Sequence, residues 1–109
     1  MVATTYALTK KIFGNRPNFI LQAGVAGCLN EQLPLSKIVL VENENIGDLG
    51  VEESNQFNTL FDLKLLEKDF FPWKNAKLAN EIEVLKTAGL TIVDGVTVNE
   101  ITTSKERVA

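Results

Sequence analysis

Phe19-Ile20-Leu21-Gln22-Ala23 is a nearly continuous apolar run, and it ends in the small residues Gly24-Val25-Ala26-Gly27. A short apolar run closed by glycines predicts a strand covered on both faces, as the strands of a parallel sheet are. A second run of the same kind is Ile38-Val39-Leu40-Val41, reached through Cys28-Leu29-Asn30 and a loop containing Leu33-Pro34-Leu35. Two such strands require helices above and below them, so this reading sets the fold class as α/β.

The flanks are read from that centre. Upstream, Val2, Tyr6, Leu8, Ile12 and Phe13 recur at helical spacing, which predicts an amphipathic helix over residues 2–13, stopped by Gly14. Asn15-Arg16-Pro17 is then a turn, because proline cannot continue a helix and drives Arg16 toward an extended backbone. Downstream, residues 42–56 are rich in acidic side chains, asparagine and glycine and read as a long polar connection. Phe57, Leu60, Phe61, Leu63, Leu65 and Leu66 suit a short helix or a strapped loop, and Asp69-Phe70-Phe71-Pro72-Trp73 an aromatic turn. Residues 79–88 predict a helix with Asn80 as N-cap and Gly89 as its stop. Alternation over Val96-Thr97-Val98-Asn99-Glu100-Ile101-Thr102 predicts a last strand. That gives too few helices to cover the strands, so residues 1–109 are expected to be a single partial domain, or one that covers its sheet by self-association.

Composition narrows the chemistry. At 109 residues with 45% hydrophobic side chains, one core is affordable and two are not. Eleven Lys and Arg against fourteen Asp and Glu leave a net charge of −3 and no basic face for a duplex, so nucleic acid is not expected as a partner. There is no histidine and one cysteine, Cys28, which excludes an internal disulfide, a Cys/His zinc cage and a His-activated nucleophile. A lone thiol fits a reducing cytoplasm. No apolar stretch approaches the roughly 18 residues of a membrane span, and Met1-Val2-Ala3-Thr4-Thr5-Tyr6 does not read as a signal peptide.

Several segments are candidate sites, each with a plainer alternative. Gly24-Val25-Ala26-Gly27 follows a strand, where open α/β sheets take ligands, and lets a ligand approach the backbone. It lacks the third glycine of a dinucleotide fingerprint and the Gly-Lys-Ser/Thr of a P-loop, and a tight turn or bulge accounts for the same residues. Gly47-Asp48-Leu49-Gly50 with Glu42, Glu44, Glu52 and Glu53 gathers carboxylates that acid/base chemistry can use, although a solvated acidic loop has the same composition. The spacing is not that of a calcium loop, and no metal is expected. Cys28 reads as a small buried hydrophobe, and Phe70, Phe71 and Trp73 as the cover of a core edge in preference to a stacking platform.

Taken together, Pro17 to Gly27, Leu33-Pro34-Leu35 and Ile38-Val39-Leu40-Val41 resemble the nucleoside phosphorylase and nucleosidase superfamily. Gly47-Asp48-Leu49-Gly50-Val51-Glu52, Phe70-Phe71-Pro72 with Asn75, Leu78 and Asn80, and Thr97-Val98-Asn99 look most like its futalosine hydrolase subgroup. Cys28 stands where that family commonly has serine, and Ser36 where a glycine usually precedes the strand. The resemblance implies an incomplete nucleoside-phosphorylase-like sheet flanked by helices, lacking the family's N-terminal strand and C-terminal catalytic portion. Those portions hold the water-activating carboxylate, the Met-Glu pair that grips the ribose and the acid that protonates the purine, so no catalytic residue is carried onto this chain. It further implies hydrolysis of the N-glycosidic bond of a purine nucleoside, futalosine, on the route to menaquinone, with no cofactor. Gly24, Val25, Ala26 and Gly27 become a wall beside ribose and base, bordered by Asp48 and by Thr102 and Thr103. Family members form homo-oligomers, which extends to this chain as an expectation. A binding or assembly module that has lost catalysis is the other reading, and phosphorolysis is disfavoured because only Arg16 and Arg107 are present.

Overall fold

The computed structural model describes residues 2–29 and 31–101 of the chain. The chain divides into two compact units, Met1–Gln32 and Leu33–Ala109. The content is mixed, with two helices, a three-stranded sheet and a two-stranded sheet among the described residues. No helix among the described residues is long and apolar enough to cross a membrane.

The first unit is built on α1, Val2–Gly14, close to the expected helix. Lys11 lies in its last turn, where a cation meets the negative end of the helix dipole, and its carbonyl accepts the Asn15 N–H at 3.0 Å. Gly14 and then Pro17 prevent continuation. The strand expected over Phe19–Ala23 is not formed: that backbone is irregular, and Phe19, Ile20 and Leu21 are exposed. Strand structure is not local, because each strand's N–H and C=O groups need a neighbouring ladder, and no described strand pairs with this segment. Cys28 is exposed for the same reason, not buried as the sequence suggested.

The second unit centres on β1, Val39–Ile46, which begins where the second apolar run predicted but continues into the supposed polar loop. β5, Thr91–Thr97, lies parallel to β1, and the two-residue β4, Leu78–Ala79, lies antiparallel on its other side, giving the order β4-β1-β5. Register runs from Val39 opposite Thr91 to Ile46 opposite Thr97, with an irregularity between Val41 and Asn43 that leaves Glu42 as the extra residue of β1. β5 sits earlier than the strand expected at 96–102. Asp94-Gly95 resembles a turn in isolation, yet here the Asp94 carboxylate accepts from Asn43 Nδ2 and Lys77 Nζ at 2.9 Å each. Gly95 fits because a Cβ there would stand 3.0 Å from Val41 Cγ1.

Residues between β1 and β5 form a long crossover, as parallel pairing requires. It begins with a hairpin of β2, Gly50–Glu53, and β3, Gln56–Thr59, where the sequence suggested loop. Ser54 and Asn55 have φ of 53° and 63°, the left-handed pair of a two-residue turn matched to strand twist. Gly50 is required there, since a Cβ would lie 2.2 Å from the Asn58 carbonyl oxygen. Asp62 then accepts from the Thr59 N–H and hydroxyl at 3.0 and 2.6 Å, tightening the turn into residues 60–66. Phe61 meets half-buried Trp73 edge to face at 5.3 Å, whereas Phe70 and Phe71 are exposed and cover no core edge. The peptide Phe71-Pro72 is cis. A second tight turn follows, with Asn75 and Ala76 at positive φ between the paired Lys74 and Lys77.

The expected helix over 79–88 shrinks to α2, Glu83–Lys86. Asn80 does not cap it: its backbone N–H donates to the Glu42 carbonyl at 2.7 Å, prolonging the β4 pairing, and its Oδ1 accepts from the Ile82 N–H at 3.2 Å. Gly89 is not its stop: the helix ends at Lys86 with Thr87 as C-cap, and Gly89, at φ +68°, lies beyond it between α2 and β5. Among the described residues no side chain is fully buried, and along β5 half-buried Thr91, Val93, Gly95 and Thr97 alternate with exposed neighbours.

Candidate functional site

The parallel pair places two carboxyl ends side by side, Ile46 of β1 and Thr97 of β5. The chain leaving β1 turns at once through Gly47, whose N–H donates to the Thr97 carbonyl at 2.9 Å. Only glycine permits this approach, since a Cβ at position 47 would stand 2.7 Å from Val96 Cγ2 and 3.3 Å from Val98 Cγ1. One turn of chain thereby lies against the end of the neighbouring strand. Beneath it, the Thr97 hydroxyl donates to the Glu44 carboxylate.

Asp48 completes the junction. Its Oδ2 accepts the Asn99 backbone N–H and, at 3.1 Å, the Glu100 N–H, while Oδ1 accepts from Asn99 Nδ2 at 3.1 Å. The Asn99 N–H foremost, with the other two donors, holds the Asp48 carboxyl below the usual carboxylate range. Asp48 is therefore an anionic clasp joining residues 51 positions apart in the chain. The sequence put Asp48 at the border of a pocket but gave no sign that Asn99 and Glu100 would be its partners, because nothing local specifies so distant a pairing.

The other acidic residues of this stretch do not converge. Glu42 pairs with Lys86 at 2.8 Å, Glu44 meets Thr97, and Asp94 meets Lys77 and Asn43. Among the described residues no group of three or more His, Cys, Asp or Glu side chains could hold a metal ion. The donors from Asn43, then Lys77, hold the Asp94 pKa below its ordinary value, and Lys74 does the same for Glu81. Lys86 is pushed up by Glu42.

Gly24, Val25, Ala26 and Gly27 lie in the irregular segment of the first unit, all exposed. A Cβ at Gly24 or Gly27 would meet nothing within 4 Å, so no packing of the chain itself demands glycine there. Thr102 and Thr103 fall outside the described residues. Two open concavities, of about 500 and 670 Å³, run along α1 beside Tyr6 and Lys10, and between Phe71, Trp73, Lys74 and Glu81. Neither is lined by Gly24–Gly27 or by Asp48. Comparison of the chain with protein-family models, with curated proteins and with solved structures gives no match.

Proposed function

We propose that this chain supplies part of a purine-nucleoside cleft in an incomplete nucleoside-phosphorylase-like sheet, and that the complete site hydrolyses the N-glycosidic bond of futalosine. One observation carries the reading: two adjacent parallel strands end together, and their outgoing turns are fastened by Asp48 to Asn99 and Glu100. The crevice outside the carboxyl ends of such strands is where open α/β sheets take ligands. Asp48 and Asn99 also belong to the two segments, Gly47 to Glu52 and Thr97 to Asn99, in which the resemblance to futalosine hydrolases is narrowest.

In the proposed reaction a water oxygen bonds to C1′ as the C1′–N9 bond breaks, and the departing base takes up a proton as hypoxanthine. Positive charge grows on the ribose and negative charge on the base, so the site needs a positioned water and an acid. Asp48 would stand at the border of this cleft. Among the described residues, the carboxylates with a shifted pKa, Asp48, Asp62, Glu81 and Asp94, are all shifted below the ordinary value, the wrong direction for a general acid. The chain alone is expected to bind without turnover. Hypoxanthine release from futalosine, measured for this chain and for a longer version carrying the family's carboxylates, tests the assignment. Release by the longer version supports it; release by neither counts against it.

The downward displacement of those carboxylates also favours a second reading, a nucleoside-binding or assembly module without catalysis. Calorimetry with purine nucleosides separates the two when combined with the turnover assay. Either reading takes a small-molecule nucleoside in the cytoplasm, without nucleic acid, membrane or cofactor, and is compatible with homo-oligomers.

A further inference from the structure

We infer that Asp48 is a positioning residue for the nucleoside cleft, acting through the chain that leaves β5 and not by touching ligand. The inference rests on the nucleoside reading and assigns Asp48 a role within it. Both Asp48 oxygens are already engaged: Oδ2 by the Asn99 and Glu100 N–H groups, Oδ1 by the Asn99 side-chain amide. A carboxylate accepting three hydrogen bonds has its strongest acceptor directions taken, which leaves it poorly placed to grip a ribose hydroxyl as well. It is equally unsuited to give a proton.

What those bonds do is fix direction. β5 ends at Thr97, and the next residues, Val98 to Ile101, have no ladder partner to guide them. Gly47 holds the strand end through the Thr97 carbonyl, and Asp48 holds the following turn through two successive backbone N–H groups. Two adjacent residues of one turn thus set the path of four residues in the other. A ligand lying across both carboxyl ends meets a surface whose shape depends on this clasp, and small misplacements at such a site cost affinity steeply.

The test compares Asp48→Ala and Asp48→Asn in the full chain, with futalosine as the titrant in calorimetry. Asparagine offers one oxygen to both backbone N–H groups, and the Asn99 amide can turn over to accept from the new side-chain NH2. Asp48→Asn should therefore bind within about threefold of the parent, whereas Asp48→Ala should bind about tenfold or more weakly, as expected for loss of charge-assisted hydrogen bonds. Amide exchange supplies the second readout. In Asp48→Ala, protection at Asn99 and Glu100 should fall while that at Val41 and Val93 in the paired strands persists, a separation that general unfolding would not give. Equal binding by Asp48→Ala and the parent would overturn the inference and leave the nucleoside reading standing, as would equal loss in both variants with the strands intact. Absence of futalosine binding by the parent would overturn both.

Discussion

The Lys86 ammonium lies 2.8 Å from the Glu42 carboxylate, and Glu42 is the residue of β1 that the register with β5 skips. A bulge re-aims the side chain at the extra position. Here it meets α2, while the Glu42 carbonyl receives the Asn80 N–H. One irregular residue thereby joins the short helix and the end of β4 to the central strand.

Breaking that pair should have a small effect with a definite sign. Both side chains are about one-third exposed, so Glu42→Gln or Lys86→Met should lower Tm by no more than a few degrees, and salt should shrink the difference. Glu42 raises the Lys86 pKa above its ordinary 10.5. The contribution is therefore complete below that value and is lost as pH rises through the raised one. Thermal melts between pH 8 and pH 12, compared with Lys86→Met, check this.

Asp48 makes the opposite pH prediction. Its pKa is lowered from 3.8 by the Asn99 N–H first, so the clasp is complete above about pH 5 and is lost as pH falls through the depressed value. Amide chemical shifts of Asn99 and Glu100, followed from pH 7 to pH 2, should titrate together with a midpoint below 3.8. A midpoint at or above that value would mean the clasp does not form.

The glycines divide into two groups. Gly50→Ala forces a Cβ to within 2.2 Å of the Asn58 carbonyl and should cost about 1–3 kcal/mol, with exchange protection lost across β2 and β3. Gly24→Ala and Gly27→Ala meet no such obstacle and should leave stability unchanged or raise it by up to about 1 kcal/mol. If these two glycines form a ligand wall, the same substitutions weaken futalosine binding, which calorimetry would detect.

The hairpin turn can be improved. Asn55 sits at φ 63°, and Asn55→Gly, or Ser54-Asn55 replaced by Asn-Gly, should stabilise the β2–β3 hairpin by about 0.5–1 kcal/mol. Urea midpoints of the paired variants would measure it.

What could be read in advance followed the range of the interactions. α1 is set by spacing within a dozen residues and ended by Gly14 and Pro17, and it was legible. So was the start of β1. Phe19–Ala23 has the composition of a buried strand, but composition cannot supply a neighbour, and without one its backbone stays irregular. The hairpin escaped notice because Ser54-Asn55 lacks the glycine that usually marks such a turn. The start of β5 was not legible, since Asp94-Gly95 is a turn-forming pair held in the strand by Asn43, Lys77 and the Val41 side chain, all contributed from elsewhere in the chain. At the candidate site, Gly47 and Asp48 stood out as residue types, whereas their hold on Thr97, Asn99 and Glu100 depends on parallel pairing that no short window contains.

That parallel pairing imposes an order of events during synthesis. Asn43 and its partner Asp94 are separated by 51 positions, which a ribosome adding about 5–20 residues per second needs several seconds to cover. The hairpin and the tight turns close within their own short segments and need no such delay. β1 is made before β5 exists to receive it, so the nascent chain carries the apolar Val39-Leu40-Val41 start of β1 without its parallel partner through that interval, and chaperone capture of stalled chains should peak before Thr91 emerges.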